Sequence, residues 1–344
     1  MRAAVLYAPK DLRIEPVAET PLGTGEVEVR IEAGGICGSD LHYYFDGGFG
    51  TVRLKEPMIL GHEIAGTVAR VGANVTSVKA GQRVAVNPSR PCGVCRYCQE
   101  GKQQHCLDMR FYGSAMRFPH VQGGFRESLV CEAAQAVPVP AGMSAAQAAF
   151  AEPFAVCLHA VRRAGPLMGR RVLVTGAGPI GALTVIAARF AGAAEIVATD
   201  VADAPLAAAR KVGADATLNV TDKDALTPYG ADKGHFDVMF EASGNAQALA
   251  GGFGVVRPQG VIVQIGIAGA EMTLPVNMAV SKEIELRGTF RFHEEFALAV
   301  DLIGNGRVDV LPLLTETMPL ERATDAFELA ANRAKAMKVQ LAFG

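Results

Sequence analysis

The chain of 344 residues contains no tryptophan, and aromatic residues make up only 6% of it. Neither sign of charge is in excess: 33 Lys and Arg stand against 35 Asp and Glu, a formal net charge of −2. A nucleic-acid binder needs a basic face to neutralise phosphates, so this balance argues against one. No apolar run is long enough to span a bilayer. The richest stretch, Ala136 to Val161, is broken by Pro138, Pro140, Gln147, Glu152 and Pro153. The first residues reach Lys10-Asp11 without the apolar core of a secretion signal. The seven cysteines are odd in number, which excludes a fully paired intramolecular disulfide framework. These absences lead to the expectation of a cytoplasmic protein with reduced thiols, no membrane span and no nucleic-acid partner.

What is present is an ordinary globular composition, half hydrophobic and one fifth charged. The length implies two domains, because single cores rarely grow past about 250–300 residues. Val27-Glu28-Val29-Arg30-Ile31 alternates like a half-buried strand, and Gly and Pro punctuate the chain from Gly47 to Gly93, so the first part reads as β-rich. From about residue 169 strand-like and helix-like runs alternate: Arg171–Thr175, Ala182–Ala191, Glu195–Thr199, Leu206–Val212, Ala216–Leu218, Phe236–Phe240, Gly260–Ile265 and Ile284–Gly288. That rhythm predicts an α/β doubly wound parallel sheet with helices on both faces. We expect residues 154–289 to form this dinucleotide-binding (Rossmann) domain, and residues 1–153 with 290–344 to form the β-rich one.

Gly176-Ala177-Gly178-Pro179-Ile180-Gly181 is a Gly-x-Gly-x-x-Gly unit. Alone it is a weak signal, equally readable as a tight turn. Here it follows a predicted strand and opens a predicted helix, and Asp200 ends the next strand at the spacing of a ribose-binding acid. Asp203 adds negative charge and no basic residue occurs before Arg210, which predicts NAD, with NADP less favoured.

Cys92-x2-Cys95-x2-Cys98-x7-Cys106 matches a closed four-thiolate zinc site, structural because no coordination position remains open. A second set is dispersed. Cys37 and His62 lie in glycine-rich stretches, Glu63 follows His62, and Glu152 is a lone carboxylate within an apolar run. Burying such a carboxylate is costly unless it is paired or bound to a cation. Thiolate, imidazole and carboxylate together would make a three-ligand zinc site with one open position. The spacing alone does not join them: His62 could be a satisfied structural residue and Glu152 a helix cap.

Gly61-His62-Glu63-x2-Gly66-x5-Gly72-x2-Val75 resembles the signature of the zinc-containing medium-chain alcohol dehydrogenases. Glu152-Pro153 resembles the polyol (sorbitol-type) and threonine dehydrogenase branch of that family. The stretches Cys37–Tyr44, Pro57–Glu63, Arg110–Met116, Phe118–His120 and Gly288–Phe292, with the ending Lys338–Leu341, resemble members of the branch that act on a sugar acid.

The resemblance spans essentially the whole chain and implies a GroES-like catalytic domain beside the NAD domain. It further implies two zinc ions per chain, with the catalytic one held by Cys37, His62 and a carboxylate. That carboxylate is Glu63 or Glu152, the other acting through water. Ser39 and His42 fall at the family's proton-relay positions, and Tyr43 at a substrate-pocket position. Gly266 and Arg291 join Gly176, Gly178, Pro179, Ile180, Gly181 and Asp200 at the cofactor. Arg110, Arg117, His120 and Arg291 are candidates to recognise a substrate carboxylate, Arg291 with the cofactor as its rival role. The implied reaction is oxidation of a secondary alcohol on a small sugar acid or polyol, by a homodimer or homotetramer. Threonine dehydrogenase is a neighbouring alternative, and a non-catalytic nicotinamide-binding relative a more distant one. The basic residue expected shortly after the ribose-binding Asp is missing, with Pro205 near that place, which loosens the preference for NAD.

Overall fold

The structure is a computed structural model that describes residues 1–267 and 271–344. Two large sheets organise it. The first has seven strands, in the order Ala136–Pro138, Arg83–Val86, Glu63–Val71, Glu26–Gly35, Lys338–Ala342 and Leu314–Pro319, with Ser128–Glu132 also paired to Glu26–Gly35. Its inward faces are read directly from alternation: in Glu26–Gly35, Val27, Val29 and Ile31 are fully buried. The C-terminal strand closes this sheet from the far end of the chain, with Gln340 opposite Gly35 and Leu341 opposite Gly34.

The second sheet is six-stranded and parallel, in the order Ala216–Asn219, Glu195–Asp200, Arg171–Thr175, Phe236–Glu241, Val256–Gln264 and Glu285–Gly288. Helices Pro179–Phe190, Asp203–Lys211 and Ala246–Val255 cross between successive strands. The order reverses between Arg171–Thr175 and Phe236–Glu241, and ligands of such sheets bind at that switch point, beyond the carboxyl ends of the strands. The α/β class with a doubly wound sheet and a β-rich partner is therefore the observed one. Strand Val256–Gln264 starts earlier than its hydrophobic run suggests. Val256 pairs with Phe236, then the register jumps so that Val261 meets Val238, and the extra residues are absorbed around Pro258 and Gln259, the latter with φ 58°.

The two sheets share one apolar seam. It gathers Ala33, Ala65 and Ala85 from the first sheet, Leu183 and Ile186 from the helix after the glycine-rich loop, and Phe150, Phe154, Phe292 and Phe296 between them. Helix Ala151–Ala164 runs along this seam, preceded by a short helix, Ala145–Ala149, whose N-terminus Ser144 caps by accepting from the Gln147 amide at 3.1 Å. No helix among the described residues is long and apolar enough to cross a membrane.

Candidate metal and cofactor site

Cys37 is the N-cap of helix Gly38–Asp46, an element whose presence the glycine-rich sequence does not advertise. The backbone N–H of Cys37 donates to Asp40 Oδ2 at 3.0 Å, and that of Gly61 to Asp40 Oδ1 at 3.2 Å. Asp40 is completely buried and thereby ties the start of the helix to the segment carrying His62. Gly61 sits at φ 92°, and a Cβ there would strike the Phe125 ring, so only glycine makes this turn into strand Glu63–Val71. The result is that ligand atoms of Cys37, His62 and Glu63 lie within 4.8 Å of one another.

The charges of this cluster do not balance within it. Burial first, then Glu63, pushes the Cys37 thiol up to about 11. His62 Nδ1 is buried without a hydrogen-bond partner and lies 3.7 Å from Asp40 Oδ1. Glu152, the second residue of helix Ala151–Ala164, falls outside the compact trio but within its field. Burial pushes its carboxyl up to about 8, His62 opposes that rise, and Glu63 and Cys37 add to it. A divalent cation among these groups would compensate thiolate and carboxylates together, and a thiolate–imidazole–carboxylate set suits zinc. The residues present fit such an ion.

One cation is already built in. Lys338 is 4% exposed, and its Nζ lies 2.7 Å from each Glu63 carboxylate oxygen and donates to the Ile36 carbonyl at 3.1 Å. Coulombic attraction to Glu63 and Cys37 holds it protonated although burial alone would lower its pKa. Sequence reasoning missed the roles of both Asp40 and Lys338. Asp40 stands three residues after Cys37 and Lys338 opens the terminal strand, but only the folded sheet brings either to the cluster.

Ser39 stands two residues after Cys37, in the first turn of the same helix. His42 is three residues further round the same helix and solvent-exposed, with Nδ1 3.2 Å from Asp46 Oδ2. Tyr43 is buried and its hydroxyl accepts from the Ala115 amide at 3.0 Å. The four groups nominated for a substrate carboxylate are differently placed, Arg291 with its Cζ 4.1 Å from the centre of the Phe111 ring. Arg117 is ion-paired with Asp108 at 2.8 Å and donates to the Leu107 and Met109 carbonyls at 2.6 and 3.2 Å. His120 has both ring nitrogens on backbone, Nε2 accepting from Lys55 N–H at 2.8 Å and Nδ1 facing the Arg117 carbonyl at 2.7 Å. Arg110 is exposed on a two-residue strand paired with Ser89–Arg90.

The four-cysteine lobe is separate. Cys95 Sγ lies 3.6 Å from Cys98 Sγ and 4.0 Å from Cys106 Sγ. A disulfide would hold sulfurs at about 2.05 Å, whereas four thiolates about 2.3 Å from one zinc are about 3.8 Å apart. Backbone N–H groups of Cys92 and Asp108 point at Cys106 Sγ at 3.1 and 3.3 Å, the environment of a thiolate. Backbone donors, Leu107 first, pull Cys95 down to about 6. Cys131 and Cys157 are buried elsewhere, and burial pushes both up to about 12, which leaves them inert thiols.

On the other wall of the cleft, Gly176 takes φ 81°, and a Cβ there would lie 2.7 Å from the Ser243 amide. Gly178 caps helix Pro179–Phe190 with Pro179 at its first turn, and the space above Gly178 is open. Ile180 and Gly181 follow in that first turn, so the helix presents its positive end to this space. Asp200 ends its strand facing the loop, accepting from the Ala177 and Ala202 amides at 2.8 and 3.1 Å. Gly266 follows strand Val256–Gln264 and is held by its N–H to the Glu241 carbonyl at 2.9 Å. The open helix start with a carboxylate beside it fits a dinucleotide.

Residues 23–141 match the alcohol dehydrogenase GroES-like domain, and residues 179–305 match the zinc-binding dehydrogenase domain. The chain belongs to the zinc-binding alcohol dehydrogenase family. Among its relatives, the L-idonate 5-dehydrogenase (NAD(P)(+)) of Escherichia coli K12 is 46% identical over 92% of this chain and 91% of its own length. The Bacillus subtilis sorbitol dehydrogenase is 36% identical over 96% of this chain and 93% of its own. The crystal structure of E. coli L-idonate 5-dehydrogenase superposes with a TM-score of 0.94 at 43% identity, covering 99% of this chain and 98% of that one.

Proposed function

We propose that the protein oxidises the C5 hydroxyl of L-idonate to the ketone, giving 5-keto-D-gluconate, with NAD(P) as hydride acceptor. The observation that carries the reaction class is the convergence of Cys37, His62 and Glu63 within 4.8 Å. The substrate follows from the 46% identity to an L-idonate 5-dehydrogenase over nearly the whole chain. The 36% identity to a sorbitol dehydrogenase supports a neutral polyol as the second reading.

Zinc held by Cys37, His62 and one of Glu63 and Glu152 supplies Lewis acidity toward the substrate hydroxyl, and a nicotinamide held in the opposite wall supplies the hydride acceptor. The chain's own residues do the rest. Asp40 holds the Cys37 and His62 segments in register. Lys338 pairs with Glu63 inside the buried site. Ser39 takes the hydroxyl proton, and His42, exposed on the same helix face, passes it to solvent. Asp200 accepts from the ribose hydroxyls and disfavours a phosphate there, so NAD is preferred while NADP is tolerated. The four-cysteine lobe holds a second zinc that shapes its loop and leaves no position for chemistry.

The edge strand Glu285–Gly288 carries Leu286 42% exposed, and the preceding helix exposes Val276 and Val280. Such an edge is suited to pairing with a second copy, so the working form is a homo-oligomer, in the cytoplasm. The test of the activity is NADH formation from L-idonate, sorbitol, xylitol and threonine at fixed NAD, and NADH consumption with 5-keto-D-gluconate. L-idonate should give the highest kcat/KM. Turnover confined to sorbitol and xylitol would establish the second reading.

A further inference from the structure

We propose that Met116 is a reversible oxidation site: hydrogen peroxide converts its thioether to the sulfoxide, and the new oxygen tightens a contact across the cleft that opposes entry of the dinucleotide. It rests on the NAD(P)-dependent reading of the cleft and is independent of which alcohol is the substrate.

Methionine is ordinarily a gap-filler of apolar cores, yet Met116 is 56% exposed. Its sulfur accepts from Arg291 Nη2 at 3.1 Å. The contact joins the two walls of the cleft. Met116 sits in the loop after strand Arg110–Phe111, whereas Arg291 stands three residues beyond strand Glu285–Gly288 of the parallel sheet. Among the described residues the guanidinium forms no ion pair, so a thioether, a weak acceptor, is what this cation bonds. The loop is pinned where it makes the contact. The Met116 N–H donates to Ser114 Oγ at 3.3 Å, and the next residue, Arg117, is ion-paired with Asp108 and bonded to the Leu107 and Met109 carbonyls. Met116 and Arg291 together line a cavity of about 200 Å³ with Phe111 and Ser114. Phe111 packs against the His62 ring, with centroids 5.4 Å apart, so this cavity adjoins the metal-ligand cluster.

The chemistry is an oxygen transfer. A sulfur lone pair attacks one oxygen of the peroxide, and the S–O bond forms as the O–O bond breaks. The sulfur loses two electrons, and the departing hydroxide takes the proton of the transferred oxygen and leaves as water. The sulfoxide oxygen is a strong acceptor. Rotation of the exposed side chain's end lays it on the guanidinium, and a charge-assisted N–H···O replaces the weak N–H···S. A dinucleotide lies beyond the carboxyl ends of the parallel strands, so it enters by parting this contact. Methionine sulfoxide reductases undo the change: two thiols become a disulfide, and the oxygen departs as water. Met168 is more exposed still, at 85%, but it precedes strand Arg171–Thr175, at the end of the sheet away from the cleft. Its oxidation should have no consequence, which makes it an internal control.

The test compares wild type, Met116→Leu and Met116→Gln as zinc-loaded enzyme. Each is treated with hydrogen peroxide until peptide masses show Met168 fully oxidised, then with methionine sulfoxide reductases of both stereospecificities and dithiothreitol. NADH binding is followed by its fluorescence and zinc content by mass spectrometry. Oxidation should raise the wild-type Kd for NADH about 10-fold, the factor that one added hydrogen bond to a charged group is worth, and reduction should restore it. Met116→Leu should show no rise. Met116→Gln, whose amide oxygen stands in for the sulfoxide, should bind NADH more weakly before any peroxide is added. Met116 left unoxidised, an unchanged Kd with Met116 carrying the oxygen, or the same rise in Met116→Leu would overturn the proposal. A rise that follows zinc loss and survives the reductases would also overturn it, because the damage would then lie at the thiolates. Wild type that turns over sorbitol and not L-idonate would defeat the substrate assignment alone, since NADH binding is read without any alcohol.

Discussion

Cys92, Cys95, Cys98 and Cys106 come from one short loop and are held by that loop's own amides, such as Cys92 N–H on Cys106 Sγ at 3.1 Å. Cys37, His62 and Glu63 come from a helix start and a strand start and meet because a sheet places them, while Glu152, on a second helix along the apolar seam, lies outside the trio but within its field. The first cluster carries its geometry in its spacing. The second depends on the whole domain, including a lysine 275 residues from its carboxylate partner. A closed local site stabilises its loop, whereas a dispersed site with charges left to compensate is free to bind and polarise a substrate.

Paired cysteine substitutions sharpen the contrast most. Cys37→Ser should lower kcat/KM by about a thousandfold or more, since the ion it helps hold supplies several kcal/mol of charge stabilisation, while Tm changes little. Cys98→Ser should do the reverse, lowering Tm by about 5–10 °C for a loss of about 2–3 kcal/mol, with residual activity in the fraction that stays folded. If both variants lost activity and stability in the same proportion, the division of labour would be wrong.

Asp40→Asn probes the connection between the dispersed ligands. Its fully buried carboxylate accepts from Cys37 and Gly61 amides and faces His62, so neutralising it should cost about 10- to 100-fold in kcat/KM, the usual effect of disturbing a group that orients a metal ligand. Unchanged kinetics would show that the fold alone places Cys37 and His62.

The smallest effect is expected at the seam that positions Glu152. Glu295 is buried between helices Ala151–Ala164 and Glu295–Gly304, 3.0 Å from His159 Nδ1. Burial would raise its pKa, but hydrogen bonds from His159 and the His293 amide outweigh it and hold the carboxyl at about 2, below the ordinary 4.5. A depressed carboxyl stabilises the fold above its unfolded pKa and loses that contribution as pH falls through the folded one. Denaturant unfolding of Glu295→Gln should therefore show a deficit of about 1–3 kcal/mol at pH 7 that fades between about pH 4.5 and 2. A deficit independent of pH would mean that packing, and not the ion pair, holds the seam.

The parts legible in the sequence are those whose signal is local. Strand Arg171–Thr175, the glycines after it and Asp200 are separated by short stretches, and the same residues line one crevice in the structure. The alternation of Val27, Val29 and Ile31 marked a strand of the first sheet. Helix Gly38–Asp46 was hidden because its N-cap is a cysteine and its apolar face holds only Tyr43 and Tyr44, too short a pattern to register as a period. Lys338 reads as an ordinary charged residue of a strand; its burial against Glu63 follows from strand register, which no spacing encodes. Arg117 and His120 are chemically suited to an anion, yet their hydrogen bonds go to backbone, and only coordinates display that expenditure.

The chain is expected to hold one ion in a closed local site and another in an open dispersed one. Metal analysis of purified wild type and Cys37→Ser by mass spectrometry, with circular dichroism to confirm folding, addresses it most directly. Wild type should carry two zinc ions per chain and a folded Cys37→Ser one. One zinc in wild type, or a zinc content that Cys37→Ser leaves unchanged, would contradict it.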